Sequence, residues 1–273
     1  MTHLRPAPTR SAVRCRREVF TLLALTGLLA VAGGVRSQAP PAAPPQAPAL
    51  PAGADPVGQM LAEARASFAR VRDYMGTLVK QERVNGQLQP EQFVAIRVRQ
   101  QPFSVHLKWQ GPRQFVGQEA AYVAGKNNGQ MRAKGSGLIS VVGVISLDPT
   151  DPRALKQSRH AITDSGIGNL IEKIARGHEN DRRLPPGQVK VTLREYQFHQ
   201  RPCIGLETVH AVNDGQTYCH RSLVFFDKEF KMPVRFEAYD WPAAGQSAGE
   251  LLECYSYIDL KFNVGLTDAA FGF

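Results

Sequence analysis

The chain has 273 residues, 33 of them Lys or Arg and 24 Asp or Glu, giving a formal charge of +9. Six of those basic residues and one acid fall in residues 1–39, so the remaining 234 carry 27 basic against 23 acidic side chains, or +4. A surplus that small, with no gathering of Lys and Arg on one face, excludes a nucleic acid as the partner.

Residues 1–17 hold five arginines and no acid, and residues 19–31 are almost wholly apolar. Thirteen apolar residues fall short of the roughly 20 that span a bilayer, and Ser37 and Ala39 offer a cleavage site. Residues 1–39 are therefore predicted to be a cleaved signal peptide and not an anchor. Arg16 and Arg17 leave the export route open between the general secretory and twin-arginine systems. Residues 40–56 include seven prolines and many alanines, an extended and semi-rigid linker. A periplasmic or otherwise exported monomer, soluble after cleavage, is expected.

The folded domain, residues 57–273, opens on a helix. Val57, Met60, Leu61, Ala64, Phe68 and Val71 recur at helical spacing, with Asp55 and Pro56 in cap and first-turn positions. The period then shortens to two: residues 78–84 lead to a turn at Asn85 and Gly86, Val94, Ile96 and Val98 form one stripe, and Phe103, Val105, Leu107 and Trp109 another. A turn at residues 126–129 joins residues 120–124 to 130–134. Residues 135–147 are apolar with three interspersed glycines and do not read as a simple strand. They form either an irregular loop beneath the sheet or a mobile lid whose apolar members are Leu138, Ile139, Val141, Val142, Val144 and Ile145.

Ile167, Leu170, Ile171 and Ile174 define a second helix, capped near Asp164 or Ser165 and ended by Gly177. About five further strands occupy residues 189–259. Among them Leu223 and Phe225 face one way, Val234 and Phe236 repeat that spacing, and Arg235 and Glu237 take the opposite face. Helix, strands, helix and strands give an α+β domain whose antiparallel sheet is long enough to curl.

The run Phe225, Phe226, Asp227, Met232, Pro233, Val234 and Arg235, with the closing Tyr255, Tyr257, Asp259, Leu260, Asn263, Gly265, Leu266, Asp268 and Phe271, resembles the end of an exported bacterial family, the domain of unknown function fifteen-seventy-one. Arg159, His160, Ile162, Thr163, Asp164 and Gly166, and Tyr239, Asp240, Trp241 and Pro242, fit the same pattern. That family is similar in turn to periplasmic lipoprotein carriers of the LolA and LolB type. The resemblance implies a strongly curved antiparallel sheet, a half-open β-barrel, with the N-terminal helix and the mid-chain helix packed in or across it around an apolar cavity, and a non-enzymatic binder or carrier of the acyl chain of a lipid or lipoprotein.

Such a cavity needs no sharp motif. Each buried methylene is worth about 0.8 kcal/mol, and any lining that excludes water supplies it. Inward positions alternate along each strand, which makes Val94, Ile96, Val98, Phe103, Val105, Leu107, Trp109, Leu223, Phe225, Val234 and Phe236 the candidate lining. The plainer reading is that these are ordinary core under the helices. A barrel filled by its own side chains would instead serve as an interaction module for an envelope protein.

Competing chemistries find less support. His199, Cys203, His210, Cys219 and His220 fall within 22 residues but lack the paired spacings of zinc sites, so no metal is expected. If Asp214 and Gly215 centre a two-residue hairpin, His210 lies opposite Cys219 and Cys203 near Phe226. A bridge from Cys254 is possible, though the sequence does not choose its partner. Nothing places a base beside a thiol, and no Gly-x-Ser-x-Gly elbow or phosphate loop occurs. Glu250 and Glu253 point to opposite faces of a strand and, with Asp259, read as solvated acids. No cofactor and no catalytic residue is expected.

Overall fold

The computed structural model describes residues 55–215 and 217–272, except for the side chains of residues 138–140. The predicted signal peptide and all but the end of the predicted linker lie outside the described residues. Helix α1 (Pro56–Phe68) starts as its sequence dictates: the Asp55 carboxylate accepts from the Gly58 N–H at 2.8 Å, and Pro56 occupies the first turn, where no N–H is needed. Strands β1 (Asp73–Val84), β2 (Gln87–Leu88), β3 (Gln92–Arg99), β4 (Ser104–Gly111), β5 (Glu119–Val123), β6 (Met131–Lys134) and β7 (Val144–Leu147) follow as a meander. Helices α2 (Pro152–Leu155) and α3 (Ile167–Asp181) interrupt it. Then come β8 (Val189–Phe198), β9 (Arg201–His210), β10 (Arg221–Asp227), β11 (Pro233–Tyr239) and β12 (Leu251–Phe262).

All strands join one antiparallel sheet in the order β7-β6-β5-β4-β3-β1-β12-β11-β10-β9-β8, with β2 a short hairpin partner of β1. The first long strand and the last therefore lie side by side at the centre. β7 and β8 are free edges, so the barrel is half open. The sheet curls: β7 and β11 are seven positions apart, about 34 Å if flat at roughly 4.8 Å per strand, yet both border a single cavity. This is the α+β class expected from the element order and the half-barrel implied by the family resemblance.

The helices fill the concave side. Val57, Leu61 and Ala64 of α1 and Ile167, Leu170, Ile171 and Ile174 of α3 join Tyr74, Leu78, Val94, Ile96, Val98 and Val105 in the main core. The β3 stripe alternates as predicted, with Val94, Ile96 and Val98 buried and Phe93, Ala95 and Arg97 facing outward. Gly168 lets the two helices approach closely, since a Cβ there would sit 2.4 Å from the Phe68 ring.

Several expectations need correction. α3 passes through Gly177 to Asp181, and its N-cap is Gly166 at φ 105°. Within the predicted lid, residues 144–147 form an edge strand on β6 and residues 137–142 a 3-10 turn. The β9–β10 hairpin pairs Val209 with Arg221, so Cys203 lies opposite Asp227, one residue away from the expected register. Leu223, Phe225 and Val234 do not share a face with Phe236: a bulge between Phe225 and Phe226 shifts the β10–β11 pairing. Val224, Phe226 and Phe236 point into the main core, whereas Leu223, Phe225 and Val234 form a separate cluster with Cys203, covered by Tyr196 and Phe198.

Candidate functional site

Between the concave sheet face and the 149–176 segment lies a cavity of about 1110 Å³. One wall is apolar: Leu107 and Trp109 of β4, Ala120 of β5, Met131 and Ala133 of β6, and Ile145 and Leu147 of β7. Phe115, Leu155, Ile162 and Leu170 continue it from the loops and α3. Exposed or half-exposed members of the lining, among them Gln114, Ile145, Lys156 and Arg176, mark the mouth.

Alternation on β1 determines the other wall. Leu78, Lys80 and Glu82 share one face, and across β12 they meet Tyr257, Tyr255 and Glu253 respectively. The paired residues thus grade from apolar to charged along the strand. Glu82 and Glu253, 1% and 0% exposed, stand directly opposite one another, an arrangement that destabilises a sheet unless countercharge is brought in. Here it is. Lys80 Nζ lies 3.0 Å from Glu82. Around Glu253 gather Lys173 Nζ at 2.6 Å, His160 Nε2 at 2.6 Å and Arg159 Nε at 3.2 Å. The Tyr255 hydroxyl donates to Glu82 and stands 3.4 Å from Glu253, joining the two halves. Burial works against ionised Glu253, but the hydrogen bond from His160 and the charge of Lys173 outweigh it and hold its carboxyl at about 2.

Sequence reasoning missed this cluster and treated Glu253 as a solvated acid. Its partner Glu82 lies 171 positions away, and only the β1–β12 pairing unites them. A signal was present: Lys80 and Glu82 share the face of Leu78, where an amphipathic strand would carry apolar residues. Of the predicted lining, Leu107, Trp109 and Phe236 border the cavity. Val94, Ile96, Val98 and Val105 lie in the core beside it, and Phe103 packs at its edge against Tyr122. Leu223, Phe225 and Val234 are remote from it. Ile145 is the one predicted lid residue on the cavity among those whose side chains are described, while Val141, Val142 and Val144 face outward, 85%, 70% and 40% exposed.

The histidines and cysteines disperse. His210 contacts the Cys219 carbonyl at 3.0 Å and Asp181 at 2.9 Å, and among the described residues no three potential metal ligands gather. Cys203, Cys219 and Cys254 are free thiols. Burial raises all three, Cys219 to about 12 and Cys254 to about 11, which leaves no thiolate at neutral pH. No described helix is long and apolar enough to cross a membrane.

Three solved structures are similar to this one. An uncharacterised conserved protein from Thermus thermophilus has 9% identity and a TM-score of 0.45, over 80% of this chain and 93% of its own. The lipoprotein LppX from Mycobacterium tuberculosis has 10% identity and a TM-score of 0.43, over 77% and 98%. A LolA superfamily protein from Nitrosomonas europaea has 12% identity and a TM-score of 0.30, over 81% and 99%. With TM-scores below 0.5, these likenesses carry no argument about function. No curated protein matches the chain. The model of one sequence family covers residues 71–273, three quarters of the length, and the chain belongs to that family, described as a protein of unknown function, DUF1571.

Proposed function

We propose that this protein is an exported, non-catalytic binder or carrier that takes an acyl chain of a lipid or lipoprotein into the half-barrel. The observation that carries the reading is the cavity of about 1110 Å³ with its continuous apolar wall from Leu107 to Leu147. Its size, just above the roughly 300–1,000 Å³ usual for small-ligand clefts, leaves room for a small ligand and favours this reading over a barrel filled by its own side chains. Apolar burial along such a wall gains free energy with each methylene and asks for no directed polar contact. The polar groups nearby are poor catalysts. A carboxylate held at about 2 is a feeble general base at neutral pH, and its acceptor sites are already taken by Lys173, His160 and Arg159.

The test is native mass spectrometry of the purified protein with organic extraction, alongside titration with a fluorescent acyl probe. Wild type should carry or take up one acyl ligand. Ala133→Trp, which fills the cavity from a half-buried position, should weaken probe binding at least about tenfold. Phe225→Ala, on the far side of the sheet, should leave it unchanged. Equal weakening by both variants, or no binding by wild type, would refute the reading.

A further inference from the structure

Charge is distributed unevenly between the depth of the cavity and its mouth. In the interior Lys80 is engaged by Glu82 and Lys173 by Glu253. At the mouth, Lys134 at the end of β6, Lys156 just beyond α2 and Arg176 on α3 border the same space. Among the described residues no carboxylate lies within 4 Å of any of these three cations. Their neighbour Arg153 is held by Asp151 at 2.7 Å. Three acids share the lining with them: Glu82, held by Lys80 in the interior, Glu119, which is taken up by Lys108 at 2.8 Å and His106 at 3.2 Å, and Asp164. Three cations from three separate elements therefore border the opening, only Arg176 feeling a nearby acid, Glu172, which Arg65 already engages at 2.7 Å, and Asp164 is the one acid of the lining without an ion pair among the described residues.

A neutral acyl chain makes no use of that surplus. Building on the acyl-binding reading above, we propose that the ligand is an anionic amphiphile, its chain along the apolar wall and its anionic group among Lys134, Lys156 and Arg176. The interior would reject such a group, because Glu82 and Glu253 are already buried there and a further negative charge would be desolvated beside them. The mouth keeps it partly hydrated and offers ammonium donors and a planar guanidinium, which suit a phosphate or a carboxylate. A phospholipid phosphate and a fatty-acid carboxylate share this chemistry.

The experiment titrates the purified protein, by calorimetry below the micellar range, with four probes of one chain length: lysophosphatidylglycerol, lysophosphatidylcholine, a fatty acid and a monoacylglycerol. Wild type is expected to bind lysophosphatidylglycerol about tenfold more tightly than the monoacylglycerol, with the margin shrinking as salt is raised. Lysophosphatidylcholine, whose phosphate is offset by choline, should fall between them. Comparable tightening by the fatty acid would assign the site to any anionic headgroup, and its absence would assign the site to phosphate. The triple variant Lys134→Glu, Lys156→Glu, Arg176→Glu should lose the preference while holding monoacylglycerol affinity within about twofold. Its melting temperature checks that the fold is intact. Equal binding of the charged and neutral probes by wild type, or a preference that survives in the triple variant, overturns this proposal and leaves the acyl reading standing. Failure of every probe, the monoacylglycerol included, overturns both.

Discussion

At the residue scale the most consequential feature is the pair Glu82 and Glu253, two carboxyl groups buried face to face, with Lys80 on the same strand as Glu82 and three cationic side chains brought to Glu253 from outside the sheet. Lys173 belongs to α3, and Arg159 and His160 to the segment leading into it, so the charges that quiet the pair also fasten the helical layer to the strands. Glu253 is held at about 2 in the fold against an ordinary value of 4.5. Its contribution to stability is thus fully present above about 4.5 and disappears as pH falls through 2; the difference is worth on the order of 3 kcal/mol. Glu253→Gln should lower the melting temperature at pH 7 by roughly 6–12 °C and flatten the acid limb of the stability curve between pH 4.5 and 2. Calorimetry across that range measures both, and an unchanged acid limb would count against the assignment. Half of the cluster was legible in the sequence, since Lys80 and Glu82 fall on the apolar face of their strand. The other half was not, because no local pattern indicates which distant strand lies alongside.

At the scale of elements, the alternating stripes of β3 and β4 were legible because a period of two assigns faces whatever the neighbours are. Faces failed on β10 and β11, where one bulge put Val234 with Phe225 and sent Phe236 to the other side. The hairpin before them slipped by one residue, and a slip of one exchanges every inward and outward side chain. The start of α3 shows why its cap was misplaced: Gly166 at φ 105° turns the chain so that the Ile167 N–H donates to the Tyr74 hydroxyl at 2.7 Å. A buried tyrosine from β1 thus does what Asp164 or Ser165 was expected to do. A Cβ at Gly166 would come 2.8 Å from that hydroxyl, in a backbone region L-residues avoid. Gly166→Ala should cost about 1–3 kcal/mol in denaturant unfolding, and a cost near zero would mean that the N-terminus of α3 is not held there.

At the scale of the molecule, the segment after β12 packs back across β3, β4 and β5. Phe271, 3% exposed, joins the packing with Arg99 5.0 Å above its ring, and Asp268 pairs with Arg99 at 2.7 Å. Phe271→Ala is expected to cost about 3–5 kcal/mol, whereas Asp268→Ala, which removes a largely exposed carboxylate from a mostly buried Arg99, should cost about 1 kcal/mol. Reversal of that order in chemical denaturation would place the attachment in charge and not in packing. The α+β class was legible from the order of helix and strands, because two amphipathic helices must cover one face of any sheet that accompanies them, whereas the half-barrel came from the family resemblance. The central adjacency of β1 and β12 has a consequence for synthesis. A growing polypeptide holds Asp73–Val84 with one flank unpaired until residue 262 has emerged, so the middle of the sheet completes only after nearly the entire sequence has been made. Such late, long-range closure slows folding and leaves the early strands exposed to mispairing until their last partner arrives.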